Sequence, residues 1–146
     1  MTTRRRTRPL EVLQEVLAAE HAVVYGYGVA GAHLGGAARR RALRVWGRHR
    51  DQRDRLAGLV TERSGVPVAS AATYALPAPV QTADDALVLA TLLEERLAAV
   101  WADAVLALTG DLRGLATEGL RDAAVEAALW RGGSVPFPGL AERATP

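Results

Sequence analysis

Apolar residues recur at alternating intervals of three and four in four separate stretches, and this rhythm constrains the fold more than anything else in the chain. In the first stretch Leu10, Leu13, Leu17, Glu20, Val24, Tyr27, Gly31 and Leu34 form an unbroken stripe. The second carries Ala42, Val45, His49, Gln52, Leu56 and Leu59, and the third Leu87, Ala90, Glu94, Leu97, Trp101, Ala104 and Leu108. The fourth carries Leu112, Leu115, Gly119, Asp122, Glu126 and Leu129. An α-helix returns a side chain to the same face every 3.6 residues or so, about the mean of these intervals. Each stretch is therefore predicted as a helix with one face in a common core. No stretch alternates with period two between turn signals, so no strand is predicted.

The breaks set the topology. Helices are predicted over 9–34, 38–64, 83–109 and 112–131. Pro9 suits a first helical turn. Gly35 and Gly36 end the first helix, and Gly65 and Pro67 end the second. Thr82 is an N-cap with Asp84 and Asp85 behind it, and Asp111 is expected to cap the fourth helix after Gly110. The two short breaks permit only antiparallel hairpins. The loop 65–82 holds 18 residues, including Pro67, Pro77 and Pro79. Extended, such a loop reaches roughly 55 Å, whereas a helix of this length spans about 39 Å. It can run the length of the bundle and leave the second and third helices parallel. The expected fold is one all-α domain over 9–132, a four-helix bundle of two antiparallel hairpins joined by a long crossover loop. Residues 1–8 are expected to be a disordered Arg-rich tail. Residues 133–146 contain prolines that preclude a continuous helix, and are expected to pack Phe137 and Leu140 onto the bundle.

Composition excludes several function classes. With 49% apolar residues, 146 residues sustain a real core. There is no Cys, so no disulfide, thiolate metal site or cysteine nucleophile is available. All 18 basic residues are Arg. That rules out a lysine Schiff base and a Walker-type phosphate loop, and with the abundance of Ala it points to a GC-rich bacterial genome. Glu11 and Glu15 interrupt the stretch where a signal peptide would be apolar, and no long apolar run occurs. Neither a leader nor a membrane span is expected, and the expected location is cytoplasmic. Gly26, Gly28 and Gly31 lie inside a helical stripe with no preceding strand, so they are not a nucleotide fingerprint. Ser64, Ser70 and Ser134 lack the context of a hydrolase nucleophile. Trp46, Trp101 and Trp130 are expected as core or dimer anchors, and Tyr25 and Tyr27 as core residues.

Charge is unevenly spread. Residues 1–64 hold 13 Arg against 6 acids, and residues 65–146 hold 5 Arg against 10 acids. Between residues 39 and 55 there are 8 Arg and 2 Asp. Such a face can meet nucleic-acid phosphates. Only Trp46 interleaves with the run, so base stacking has no support. The expected role is a solvated face that pairs with the acidic half of its own bundle or of a partner subunit.

The stripes are not wholly apolar. Glu20, His49 with Gln52, Glu94, and Asp122 with Glu126 fall at similar depth on the four helices. A carboxylate in an apolar stripe is costly unless it is paired, hydrogen-bonded or bound to metal. Four helices with such groups at one level imply a shared polar centre. Bundles build di-iron sites this way, and a metal there would open a coordination position for oxygen chemistry. Without metal, Arg53, four residues after His49 on the same face, or Arg50 would supply the positive charge.

The stretches from Leu17 to Tyr27 and from His49 to Leu56 resemble the uncharacterised actinobacterial ferritin-like domain-of-unknown-function family. So do Tyr74 to Pro77, Leu93 to Arg96 and Phe137 to Leu140. The resemblance runs from about residue 10 to 140 and implies the ferritin-like superfamily, which places one Glu on each of the first and third helices and Glu-x-x-His on the second and fourth. By that pattern Glu20, Glu94 and His49 match. Trp46 stands where the second-helix Glu belongs. On the fourth helix Asp122 stands for Glu, but Val125 takes the histidine position; aligning on Glu126 instead puts Leu129 there. Two of the six ligands are thus apolar. The expected function is a non-enzymatic structural or interaction protein, homodimeric, with a degenerate metal-free site, a polar network that includes Arg53, and no cofactor. The alternative is an iron- or manganese-dependent oxidase or iron-handling protein using Glu20, His49, Glu94, Asp122 and Glu126. A third reading is Arg-mediated nucleic-acid binding through the second helix.

Overall fold

The computed structural model describes residues 9–133 and 137–140. It contains four helices, α1 (Pro9–His33), α2 (Gly36–Glu62), α3 (Ala83–Ala107) and α4 (Gly110–Arg131), and the described residues hold no strand. The Arg-rich tail 1–8 expected to be disordered lies outside the described residues.

Local chemistry sets the helix ends. The Thr82 hydroxyl accepts the Asp85 backbone N–H at 3.1 Å, and the Asp85 carboxylate accepts the Thr82 N–H at 3.0 Å. This reciprocal pair is a capping box. The N–H groups of Gln81 and Thr82 and the Thr82 hydroxyl hold the Asp85 carboxyl below its usual range. α4 is different. Thr109 is its N-cap residue and makes no side-chain cap bond, while Asp111 sits in the first turn rather than at the cap. There its charge still favours the positive end of the helix dipole.

The α1–α3 pair is the spine of the bundle. A Cβ on Gly26 would come within 2.6 Å of the Leu93 side chain, so glycine is what lets the two helices close up at mid-length. Val12 and Val16, early in α1, lie beside Val100 and Ala104, late in α3, and the two helices run antiparallel. α1 and α2 form an antiparallel hairpin, so α2 and α3 are parallel. The crossover, residues 63–82, follows α1 along its length. Near its start the Gln14 amide donates to the Val66 carbonyl at 2.6 Å and accepts from the Val68 N–H at 2.8 Å. Further along, Tyr74 packs on Tyr25 with ring centroids 5.6 Å apart.

α4 packs on α3 alone. No Cα of α4 comes within 8 Å of a Cα of α2, and the two helices leave a cleft between them. This single neighbour turns α4. Its buried residues are Leu115, Ala116, Ala123, Glu126 and Ala127. Asp122 and Leu129, placed in the inward stripe by their spacing, are exposed instead. Leu13, Leu17, Leu56, Leu89, Trp101 and Leu108 form the fully buried core, each aliphatic member contributing about 1.5–3 kcal/mol.

The C-terminal segment departs from expectation in one respect. Phe137 is 46% exposed rather than packed. Gly139 makes the close approach: a Cβ there would lie 2.6 Å from the Ala98 carbonyl oxygen of α3. Leu140 is half-buried.

Two glycines of α4 give a test of this packing. A Cβ on Gly119 would meet the Trp101 ring at 2.4 Å, whereas one on Gly114 would meet nothing. Gly119→Ala is expected to destabilise the fold by about 1–3 kcal/mol in urea unfolding, because a buried indole cannot retreat. Gly114→Ala is expected to stabilise it by about 0.5–1 kcal/mol through helix propensity alone.

Candidate functional site

The cleft between α2 and α4 encloses about 370 Å³. Its floor is built from polar residues that the core holds at mid-depth. Glu20 of α1 is 1% exposed and Glu94 of α3 is 0% exposed. Two carboxylates so placed are costly unless compensated, and His49 of α2 compensates both. Its Nδ1 lies 2.9 Å from Glu20 Oε2 and its Nε2 lies 3.0 Å from Glu94 Oε1. A carboxylate only accepts, so both ring nitrogens donate and the ring is an imidazolium.

Electrostatics agree with this geometry. Burial alone would push the His49 pKa down, but the hydrogen bonds and charges of Glu20 and Glu94 outweigh it and raise it to about 10. Burial pushes the Glu20 carboxyl up, against the opposing pull of His49. Glu94 Oε1 also accepts from the Tyr27 hydroxyl at 2.5 Å. The Tyr27 hydroxyl accepts in turn from the Trp130 indole N–H at 2.9 Å. Burial and the Glu94 charge push the Tyr27 phenol well above its ordinary value, so it remains a donor. The Tyr27 ring stacks on His49 with centroids 5.4 Å apart. One continuous chain of hydrogen bonds therefore links α4, α1, α3 and α2.

A second cluster closes one side of the cleft. Glu126 of α4 accepts from Arg41 at 2.9 Å and also pairs with Arg48, both from α2. The Arg41 guanidinium lies 4.9 Å from the centroid of the Trp130 ring. These contacts bridge helices whose backbones do not touch.

A family model described as Domain of unknown function (DUF4439) matches residues 12–142. The chain belongs to this family. It is also similar to the crystal structure of a conserved hypothetical protein, rv2844, from Mycobacterium tuberculosis. That likeness has a TM-score of 0.80 and 34% sequence identity, covering 83% of this chain and 92% of the other. No curated protein matches the chain.

Of the five residues singled out from the sequence of this DUF4439 chain, the structure brings Glu20, His49 and Glu94 into direct contact. Glu126 stands at the same cleft but is held by arginines. Asp122 lies on the rim, paired with Arg121 at 3.1 Å, and touches none of the others. Arg53 does not join the network either. It pairs with Asp54 at 2.7 Å, because its position on α2 points it past α1 and away from the cleft. Arg50 lies over the Trp46 ring instead. Arg41 and Arg48, missed as partners, are seven apart and so share one face of α2, a spacing visible within the Arg run. Trp130 as a donor to Tyr27 had no such signal.

The imidazolium gives a pH prediction. A folded-state pKa of about 10, against 6.5 for free histidine, means that folding favours the protonated ring. Its stabilisation is complete below about pH 6.5 and is lost as pH rises through about 10. Glu20, raised by burial, also favours the fold at acid pH and loses that contribution as its carboxyl ionises, so it acts in the same direction as His49. Stability of the parent protein in urea is expected to fall by a few kcal/mol between about pH 7 and pH 9.5. His49→Gln should remove most of that slope. Equal slopes in the two proteins would eliminate His49 as its source.

Proposed function

We propose that this chain is a ferritin-like bundle in which a protonated histidine occupies the middle of a degenerate metal centre, and that it acts as a structural or interaction protein rather than an enzyme. The observation that carries this reading is the position of His49 between Glu20 and Glu94. Both ring nitrogens face carboxylates, so neither offers a lone pair to a metal ion. Among the described residues no group of three or more His, Asp or Glu side chains converges to hold a metal. The residues as placed do not fit a di-iron or di-manganese cofactor. Trp46 and Val125, at two expected ligand positions, supply no donor; the Trp46 indole donates to the Val24 carbonyl at 3.0 Å.

The parallel α2–α3 pair and the long crossover support the ferritin-like assignment. A non-enzymatic role is supported by the wiring of the polar residues. Glu126 is paired with two arginines, Glu20 and Glu94 share His49, and among the described residues no Ser or Thr hydroxyl lines the cleft. No described helix is long and apolar enough to cross a membrane.

Metal analysis tests the reading. Purified protein, desalted after aerobic loading with Fe(II) or Mn(II), is expected to retain under about 0.1 metal ion per chain by plasma mass spectrometry. Glu20→Gln should leave that content unchanged while altering stability. Retention of about two ions per chain, lost in Glu20→Gln, would replace this reading with the metal-dependent oxidase or iron-handling one.

A further inference from the structure

The cleft has a chemical character that the ion cluster at its floor does not use up. Glu94 Oε1 takes hydrogen bonds from both Tyr27 and His49. Oε2 of the same carboxylate is buried, and no donor among the described residues reaches it. One imidazolium also lies between two carboxylates, so Glu20, His49 and Glu94 together keep a negative charge, and among the described residues no arginine pairs with them. A buried charge of this kind is relieved by a proton or by a cation from outside.

The walls and mouth narrow the choice. Leu97, Trp101, Leu115 and Ala123 line the cleft with apolar surface. Six carboxylates line it against three basic side chains, Arg48, His49 and Arg55. His49 and Arg48 are already paired within the chain, while Arg55 is exposed and makes no ion pair among the described residues. At the mouth, Asp51 and Glu118 are exposed, and neither is ion-paired among the described residues. A bare divalent ion needs several oxygens converging on one point, which this arrangement lacks. A guanidinium seeks both oxygens of a carboxylate, and Glu94 has one free. A primary ammonium is a compact point donor on a flexible hydrocarbon stem. It needs one buried acceptor, an apolar passage and acidic groups at the exit, in that order. The volume of about 370 Å³ falls within the ordinary range of small-molecule sites.

We propose that the α2–α4 cleft binds an aliphatic diamine or polyamine. The leading ammonium donates to Glu94 Oε2, the methylene chain lies along Leu97 and Leu115, and the trailing cation is held by Asp51 and Glu118. The proposal rests on the metal-free reading of the centre, since a metal there would occupy the same carboxylates.

Calorimetric titration of the full chain with 1,5-diaminopentane and with spermidine tests it, with metal content measured on the same sample. Saturable binding of about one amine per chain, with a Kd below about 1 mM, is expected. Glutarate, of the same length and opposite charge, should show none. Glu94→Gln keeps the shape but removes the charge and should weaken binding at least about tenfold. Glu118→Gln, on the exposed mouth, should weaken it about threefold. If Glu94→Gln does not fold, Gln52→Trp fills the cleft from α2 and should abolish binding. The proposal is overturned by no saturable binding in metal-free protein, by equal affinity for glutarate, or by affinity unchanged in both Glu118→Gln and Gln52→Trp. The first of these leaves the metal-free reading standing. Stoichiometric metal in the sample would overturn that reading, and this proposal with it.

Discussion

His49 donates from both ring nitrogens, to Glu20 on α1 and to Glu94 on α3, and so ties three helices together at mid-depth through one charged side chain. Without that bridge the α1–α3 spine would hold two buried carboxylates facing each other in apolar surroundings. Each would demand a proton, a metal or a rearrangement of the helices. The rest of the polar core is arranged around this contact. Tyr27 donates to the same Glu94 oxygen that His49 reaches, and its ring covers one face of the imidazole. Trp130 extends the chain of donors to α4. The leucines above and below this layer form a dry core. They exclude water from the core side of the bridge, while its other side faces the cleft.

The cleft follows from how α4 is held. α4 has backbone packing on α3 only, and its links across to α2 are long side chains, Arg41 and Arg48 onto Glu126. Such links span a gap that direct helix packing would close. They also neutralise Glu126, which is itself nearly buried. The bundle is thus tightly packed along α1 and α3 and open along α2 and α4, with its ion cluster at the bottom of the opening. A site with one charged floor, apolar walls and an acidic mouth results from packing three helix pairs closely and leaving the fourth apart.

The polar centre was legible in the sequence because burial makes charge conspicuous. Glu20, His49 and Glu94 interrupt stripes that are otherwise apolar, and at matching depths. Three such interruptions have few uses other than meeting one another. Asp122 and Arg53 misled for a shared reason. Each lies three or four residues from a genuine member of the centre, close enough in helical phase to belong by spacing. On α2 the stripe stays inward through Ala42, Val45 and Leu56, and Arg53 lies at its edge beside α1; on α4 the buried face itself is turned. For α4 that rotation comes from having a single neighbour, which brings Ala123 inward and leaves Asp122 on the rim. Arg41 and Arg48 share a face of α2 by their seven-residue spacing, but that spacing continues to Arg55, which makes no ion pair among the described residues, so spacing alone does not select them.

The sequence by itself determined the four helices, their hairpins and the parallel course of α2 and α3. These depend on local quantities: residue periodicity, helix-breaking glycine and proline, and the reach of a loop between fixed ends. It also determined that charge would be buried on at least three helices. The tertiary structure decided which charges meet. That choice depends on the rotation of each helix about its own axis and on the distance between helices that do not touch. Both are set by the sum of many packing contacts made by residues far apart in the chain, so no single stretch of sequence encodes them.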